Sequence, residues 1–257
     1  MDKLSLKFPI LDLEKGFSAY RSGDYKVALR EWGFLAKRGN AIAEFSMGML
    51  YHNGRGVIKN YEVAVKWYAR AANKGNEFGQ YNLGCMYEIG NGVGQDFKIA
   101  ANWYFLAAEQ GHADAQYNLG LFYKTGRGVL KNHKTAINWY TLSAKQGNSR
   151  AQHNLALMFH SGNGVLQDYR TAVKWYERSA KQGNKNSQVN LGQMYFIGLG
   201  IEQDDVYAYM WWKIAKLNGD ITAAKNIVIV ARRMTKNHIS KAEKFANEFL
   251  NKKLNEF

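Results

Sequence analysis

The chain has 257 residues, with 35 Lys and Arg against 21 Asp and Glu, a formal charge of +14. Its 46% hydrophobic and 14% aromatic content, with one proline, supports a packed core throughout and excludes disordered linkers or mucin-like tracts. A single cysteine, Cys85, excludes an intramolecular disulfide, so the fold does not depend on an oxidising compartment.

The first elements lie in residues 1–40. Met1 to Leu13 interrupts its apolar residues with Asp2, Lys3, Lys7 and Asp12, which leaves no hydrophobic region of a signal peptide. No stretch of the chain approaches the roughly 20 apolar residues of a membrane span. A cytoplasmic location is therefore expected, with secretion by a signal-independent route left open. Residues 10–38 predict a helix, a Ser22-Gly23 turn and a second helix starting at Asp24 and carrying Ala28, Trp32 and Ala36.

From Gly39 onward a 36-residue period governs the sequence. Gly39, Gly75, Gly111, Gly147, Gly183 and Gly219 keep step with Asp24, Asn60, Asp96, Asn132, Asp168 and Asp204, and Trp67 keeps step with Trp103, Trp139, Trp175 and Trp211. Such self-similarity marks a solenoid, whose units bury their apolar faces only by stacking on their neighbours. Five complete copies start near Ala41, Glu77, Ala113, Ser149 and Lys185.

In the third copy, Ala115, Leu119, Phe122 and Tyr123 form the stripe of a helix A. Gly126 and Gly128 stop it, and Asn132 is placed to cap the next helix. Helix B carries Ala136, Trp139, Tyr140, Ser143 and Ala144 and ends at Gly147. The pair predicts an antiparallel hairpin. Gly48, Gly84, Gly120 and Gly192, with Ala156, recur inside helix A, and glycine there costs about 1 kcal/mol against alanine, so close packing is expected. The Trp column is read as core aromatics.

After Gly219, Ala223 to Met234 fills a helix A slot, with Val228 in the glycine column. Thr235 is placed to cap a last helix through about Lys253, whose stripe is Ile239, Ala242, Phe245, Ala246 and Phe249. Residues 219–257 are the expected capping helices of the array.

The segments AQYNLGLFYKTGRGV (115–129) and DYRTAVKWYERSAKQGN (168–184) resemble the two halves of the Sel1-like repeat, a longer-loop relative of the tetratricopeptide repeat. The resemblance covers residues 41–218, as copies at about 41–76, 77–112, 113–148, 149–184 and 185–218; residues 1–40 look like a tetratricopeptide-type hairpin. It implies one continuous all-α domain, a right-handed α/α superhelix of about seven antiparallel hairpins. It further implies a non-enzymatic adaptor or scaffold for protein complexes, many family members serving bacterial envelope, motility or host-interaction pathways.

Columns that vary between copies are free to serve a partner, and the resemblance places helix A on the concave side. On that basis the candidate partner-binding residues are Tyr81, Tyr117 and His153 in one column and Glu88, Lys124 and His160 in another. Other varying columns run Ile42/Phe78/Asp114/Arg150/Asn186 and Met49/Cys85/Leu121/Leu157/Gln193, and Phe45 and Val189 belong with Tyr81. Asn82, Asn118, Asn154 and Asn190, with Ser46 in the first copy, form a carboxamide column. It suits either a clamp on a peptide backbone or a bond to the neighbouring repeat's backbone. An aromatic, mixed-charge groove fits a peptide or helix better than a phosphate backbone.

No cofactor, metal or catalytic residue is expected. His153 and His160 are about 10 Å apart along a helix, too far to share one zinc. No serine heads an S-x-x-K motif, and no H-E-x-x-H, P-loop or dinucleotide fingerprint occurs. The charge of +14 keeps open an acidic partner and, as the alternative function, an anionic polymer such as nucleic acid or polysaccharide, whose binding would weaken steeply with salt. A hydrolase ranks below both.

Overall fold

The computed structural model describes residues 7–254, with side chains for residues 13–252. Of the segment 1–13, read from sequence as lacking a signal peptide, residues 1–6 lie outside the described residues. Among those described the chain is all-α, with fourteen helices. Two compact units divide it, residues 1–131 and 132–257.

In the first unit α1 (Lys7–Arg21) and α2 (Tyr25–Lys37) precede α3 (Ala41–Asn53) with α4 (Tyr61–Asn73), α5 (Glu77–Ile89) with α6 (Phe97–Glu109), and α7 (Ala113–Thr125). Each helix packs on the next in order. The second unit holds α8 (His133–Lys145), α9 (Ser149–Ser161) with α10 (Tyr169–Lys181), α11 (Lys185–Ile197) with α12 (Asp205–Leu217), α13 (Ile221–Ala231) and α14 (Lys236–Leu254). Here too the packing is sequential as far as α13, while α14 lies along α12.

The local rules written in the sequence are the ones obeyed. Asp24, Asn60, Asp96, Asn132, Asp168 and Asp204 each accept an amide of the first turn of α2, α4, α6, α8, α10 and α12. Thr235 likewise accepts the amide of His238 at the start of α14 (3.2 Å). A second 36-residue column caps the other helices: Asn40, Asn76, His112, Asn148, Asn184 and Asp220. The sequence reading missed it because these residues follow the turn glycine and were absorbed into the turn.

The core aromatic column differs from the expected one by a single residue. Trp67, Trp103, Trp139 and Trp175 are only half-buried. The fully buried rings of helix B and its equivalents are Trp32, Tyr68, Tyr104, Tyr140, Tyr176 and Trp212, again 36 apart. One residue turns a helix by about 100°, and it is the later position that faces the preceding helix A. There the small-residue column accommodates the ring: a Cβ on Gly84 would stand 2.8 Å from the ring of Tyr104, and one on Gly192 2.6 Å from that of Trp212. The tryptophans sit at the rim, Trp67 under Arg70 and Trp175 under Arg178. Trp211 alone of that column is buried, because Phe249 of α14 covers it with ring centroids 5.3 Å apart.

A third column, also unread in the sequence, pins successive hairpins. Gln80, Gln152 and Gln188 are buried, and each donates its amide to a carbonyl of the previous helix B: Ala72, Ala144 and Ala180. Their side-chain oxygens accept from Gln110, Gln182 and Asn218 at 2.7–2.9 Å. Each carboxamide is thus satisfied on both ends, the condition under which a buried polar group stabilises and specifies packing.

Candidate functional site

In the first unit the exposed side of α3 and α5 forms a cleft of about 490 Å³ lined by Phe17, Ile42, Phe45 and Phe78, with Gly75, Asn76, Glu77 and Gln110 at its edge. Ile42 and Phe78 are 44% and 47% exposed. Phe45 and Phe78 lie with ring centroids 5.7 Å apart. These rings continue into a ladder through His112, which packs edge-on to Phe78 and stacks on Tyr81 at 4.5 Å. The wall is therefore rigid aromatic surface, held from behind by the buried Tyr68 and Tyr104.

Most of the residues nominated from sequence are half-buried and engaged with the stack. Tyr81 backs the cleft through His112. Glu88 accepts the hydroxyl of Tyr104 at 2.5 Å and faces Arg127 at 3.5 Å. Burial pushes the Tyr104 hydroxyl far above its usual range, so it remains a neutral donor. Asn82 donates to the carbonyl of Phe78 in its own helix (2.8 Å), and Ser46 does the same to Ile42 (2.9 Å). Asn118 and Tyr117 are half-buried, as is Lys124, whose ammonium is lowered by burial. Cys85 lies under the Tyr104 hydroxyl (3.3 Å), and burial raises its thiol, which keeps it protonated and unreactive.

The second unit repeats this pattern. His153 heads a chain that runs through Ser187 (2.8 Å) and Ser179 (2.8 Å) to the carbonyl of Ser149 (2.7 Å). His160 meets the Tyr176 hydroxyl at 3.4 Å. Asn154 donates to Arg150 of its own helix (3.2 Å), and Asn190 is half-buried. In the carboxamide column, Asn82 and Asn154 thus donate to carbonyls of their own helices. Ile42, Phe45 and Phe78 were present in the varying columns but were not singled out. Their signal is apolar residues at the second and fifth places of helix A, where later copies carry Asp114, Arg150 or Asn186.

His112 has a testable consequence. Its Nδ1 accepts the amide of Ala115 at 3.3 Å, so that nitrogen is unprotonated in the capped helix. Burial lowers its pKa below 6.5, against the pull of Asp114 and Glu77. A depressed histidine contributes stability that is present above its free value and is lost as pH falls through the folded value. The thermal midpoint is expected to fall between about pH 7 and about pH 5, with about 1 kcal/mol assigned to this cap. His112→Asn, the cap of four other copies, should flatten part of that fall; an identical pH profile in the variant would refute the assignment, since the half-buried His52, also lowered by burial, remains in both proteins.

Among the described residues no helix is long and apolar enough to cross a membrane, and no three His, Cys, Asp or Glu side chains gather where they could hold a metal ion.

The sequence pattern of the Sel1 repeat matches residues 41–76, 78–112, 113–148, 149–184 and 185–220. A Sel1 repeat protein from Oxalobacter formigenes is 37% identical and superposes with a TM-score of 0.77 over 82% of this chain and 86% of that one. A protective antigen of uropathogenic Escherichia coli strains, displaying an SLR fold, is 28% identical over 93% of this chain and 68% of its own, with a TM-score of 0.41. A Pseudomonas aeruginosa protein at 19% identity and a TM-score of 0.50, covering 79% of this chain and 81% of its own, shares the fold. No curated protein matches the chain.

Proposed function

We propose, from the premise that the chain belongs to the Sel1 repeat family, that it is a non-enzymatic adaptor whose first unit holds an apolar segment of a partner protein. Sel1 repeat proteins are generally protein–protein interaction scaffolds. The observation that carries the reading is the cleft of about 490 Å³ walled by Phe17, Ile42, Phe45 and Phe78. Its size suits one or two large apolar anchors, and its aromatic wall is the kind of surface on which binding energy concentrates. Gln110 and Asn76 on the rim offer polar contacts that fix the register of a peptide. The nominated Asn, Tyr and His columns then serve mainly to hold that wall, with their outer atoms as secondary contacts. A reducing, cytoplasmic setting suits the unpaired Cys85, and partners in bacterial complexes suit the bacterial relatives.

Ile42→Asp with Phe78→Asp places two carboxylates in the cleft. The pair is expected to cost an anchored partner about 2 kcal/mol or more, near 30-fold in affinity. Affinity capture with mass spectrometry from the native cell checks this. Partners retained by the wild-type chain should be depleted on the double variant at equal helicity, and an unchanged partner set would overturn the assignment of the cleft.

A further inference from the structure

The C-terminal end of the second unit carries a surface that the repeat does not explain. Four aliphatic side chains, Leu217, Ile221, Val228 and Ile229, are each more than half exposed, Ile221 by 82%. The internal copies show that two of them are departures. Where Leu217 stands, earlier copies have Asn73, Glu109, Lys145 and Lys181, and where Ile221 stands they have Ala41, Glu77, Ala113, Ser149 and Lys185, small or polar in every case. Solvation alone would keep such positions polar, so this end is shaped for contact.

The geometry says what kind of contact. In hairpins lying within one unit a helix B packs against helix A and seats a ring over the small-residue column, as Tyr68 does on Gly48, Tyr104 on Gly84 and Trp212 on Gly192. Here α14 packs along α12, with Phe249 on Trp211, and leaves the corresponding face of α13 open. Ile221, Lys225 and Val228 recur at steps of four and three along α13, and Arg232, the C-cap four residues on, continues the same face. Val228 replaces the glycine of other copies, so an occupant cannot approach as closely as Tyr104 approaches Gly84. An ordinary helix at about 8–10 Å, meeting Val228 with an aliphatic side chain, fits.

Charge decides the chemistry of that helix. Lys216, Lys225 and Arg232 are exposed around the apolar stripe, and none of them is in an ion pair among the described residues. The carboxylates nearby are engaged: Asp220 caps α13, Asp205 pairs with Arg233 at 3.0 Å, and Glu243 with Lys213 at 3.0 Å. We infer that the open face of α13 seats an amphipathic helix of a partner protein, its apolar edge flanked by aspartate or glutamate, which completes the last hairpin from outside. This end site stands independently of the cleft between α3 and α5.

The test uses the full chain and a fluorescent, stapled helical peptide about four turns long, with leucines at alternating three- and four-residue spacing between glutamates; a twin carries lysines in place of the glutamates. By fluorescence anisotropy the acidic peptide should bind, weaken as salt rises, and lose about tenfold or more in affinity with Ile221→Asp plus Val228→Asp. Ile42→Asp plus Phe78→Asp should leave that binding intact. Equal binding of the lysine twin, or indifference to the Ile221/Val228 variant, would overturn the proposal, and loss only in the cleft variant would move the peptide to the cleft. The acidic peptide failing to bind while phosphatidylglycerol vesicles pull down the chain would assign the face to lipid instead. A dimer in sedimentation velocity that the Ile221/Val228 variant dissolves would assign it to a second copy. Both side chains are exposed, so unchanged circular dichroism is expected for the variant and separates lost binding from lost fold.

Discussion

Gly84→Leu is expected to lower the stability of the chain by about 3 kcal/mol, at or beyond the usual upper range for overpacking, whereas Gly84→Ala should cost clearly less, about 1 kcal/mol. A Cβ at this position would stand 2.8 Å from two ring carbons of Tyr104 and 3.3 Å from the carbonyl of Ala100. The ring has no room to withdraw. It is fully buried, meets Phe122 edge-on at 5.5 Å and Tyr81 at 5.9 Å, and is tied to Glu88 through its hydroxyl. A methyl group already forces the two helices apart by a few tenths of an ångström, a spacing the fourth copy has around its buried Ala156 in this column. Replacing glycine inside a helix also regains about 1 kcal/mol, which offsets part of the strain. The leucine has no such precedent in any copy. Urea unfolding of both variants measures the difference, and adding Tyr104→Ala to Gly84→Leu should recover part of the loss by emptying the space the leucine needs. A leucine variant with the wild-type midpoint would remove the ring-on-glycine contact from the account of how hairpins close.

The period made this contact partly legible. Glycine inside helix A demanded a close neighbour, and that much follows from propensity alone. Which neighbour does not, because Trp103 and Tyr104 keep the same 36-residue step and differ only by 100° of helical rotation. The larger ring drew the assignment to the core, while the chain places it at the rim and buries the tyrosine. The Asp/Asn caps of helix B were readable because each follows a glycine loop and precedes an apolar stripe. Asn76 and His112 do the same work after a shorter turn and were hidden by it. Gln80 and Gln110 were invisible for another reason: they are 30 residues apart, and a polar residue in a helix reads as exposed until its partner across the turn is known. The candidate site suffered most. Variation between copies pointed to helix A, where Glu88 and His153 also hold contacts within the stack, to Tyr104 and to Ser187. The cleft emerges where Ile42, Phe45 and Phe78 of two successive copies meet Phe17, a juxtaposition set by stacking and not by spacing within one copy.

The first complete copy contains the one departure from the glutamine column, and it predicts the second large effect. Glu44 occupies the place of Gln80, with its side chain 0% exposed, and its Oε1 accepts from both Arg70 and Lys74 at 2.8 Å. Arg70 continues to the carbonyl of Ala36 (3.2 Å) and Lys74 to that of Gly39 (2.8 Å), so the cations join this hairpin to α2 and its turn. The second copy solves the same problem without charge, through Gln80, Leu106 and Gln110. The two halves of the ion pair are unequal. Arg70 and Lys74 are substantially exposed and regain water if the carboxylate is removed, but Glu44 has no water to regain. Arg70→Leu with Lys74→Gln therefore strands a buried carboxylate and is expected to cost about 3–5 kcal/mol. Adding Glu44→Gln to that pair rebuilds the neutral arrangement of the second copy and should return most of the loss, since a fully hydrogen-bonded neutral pair of similar volume replaces a buried ion pair with little penalty. Chemical denaturation of the double and triple variants decides the matter: a triple variant no more stable than the double would mean that the cations act by packing and not by compensating Glu44. Recovery would show that one seat between hairpins accepts either a carboxylate with two cations or a pair of carboxamides.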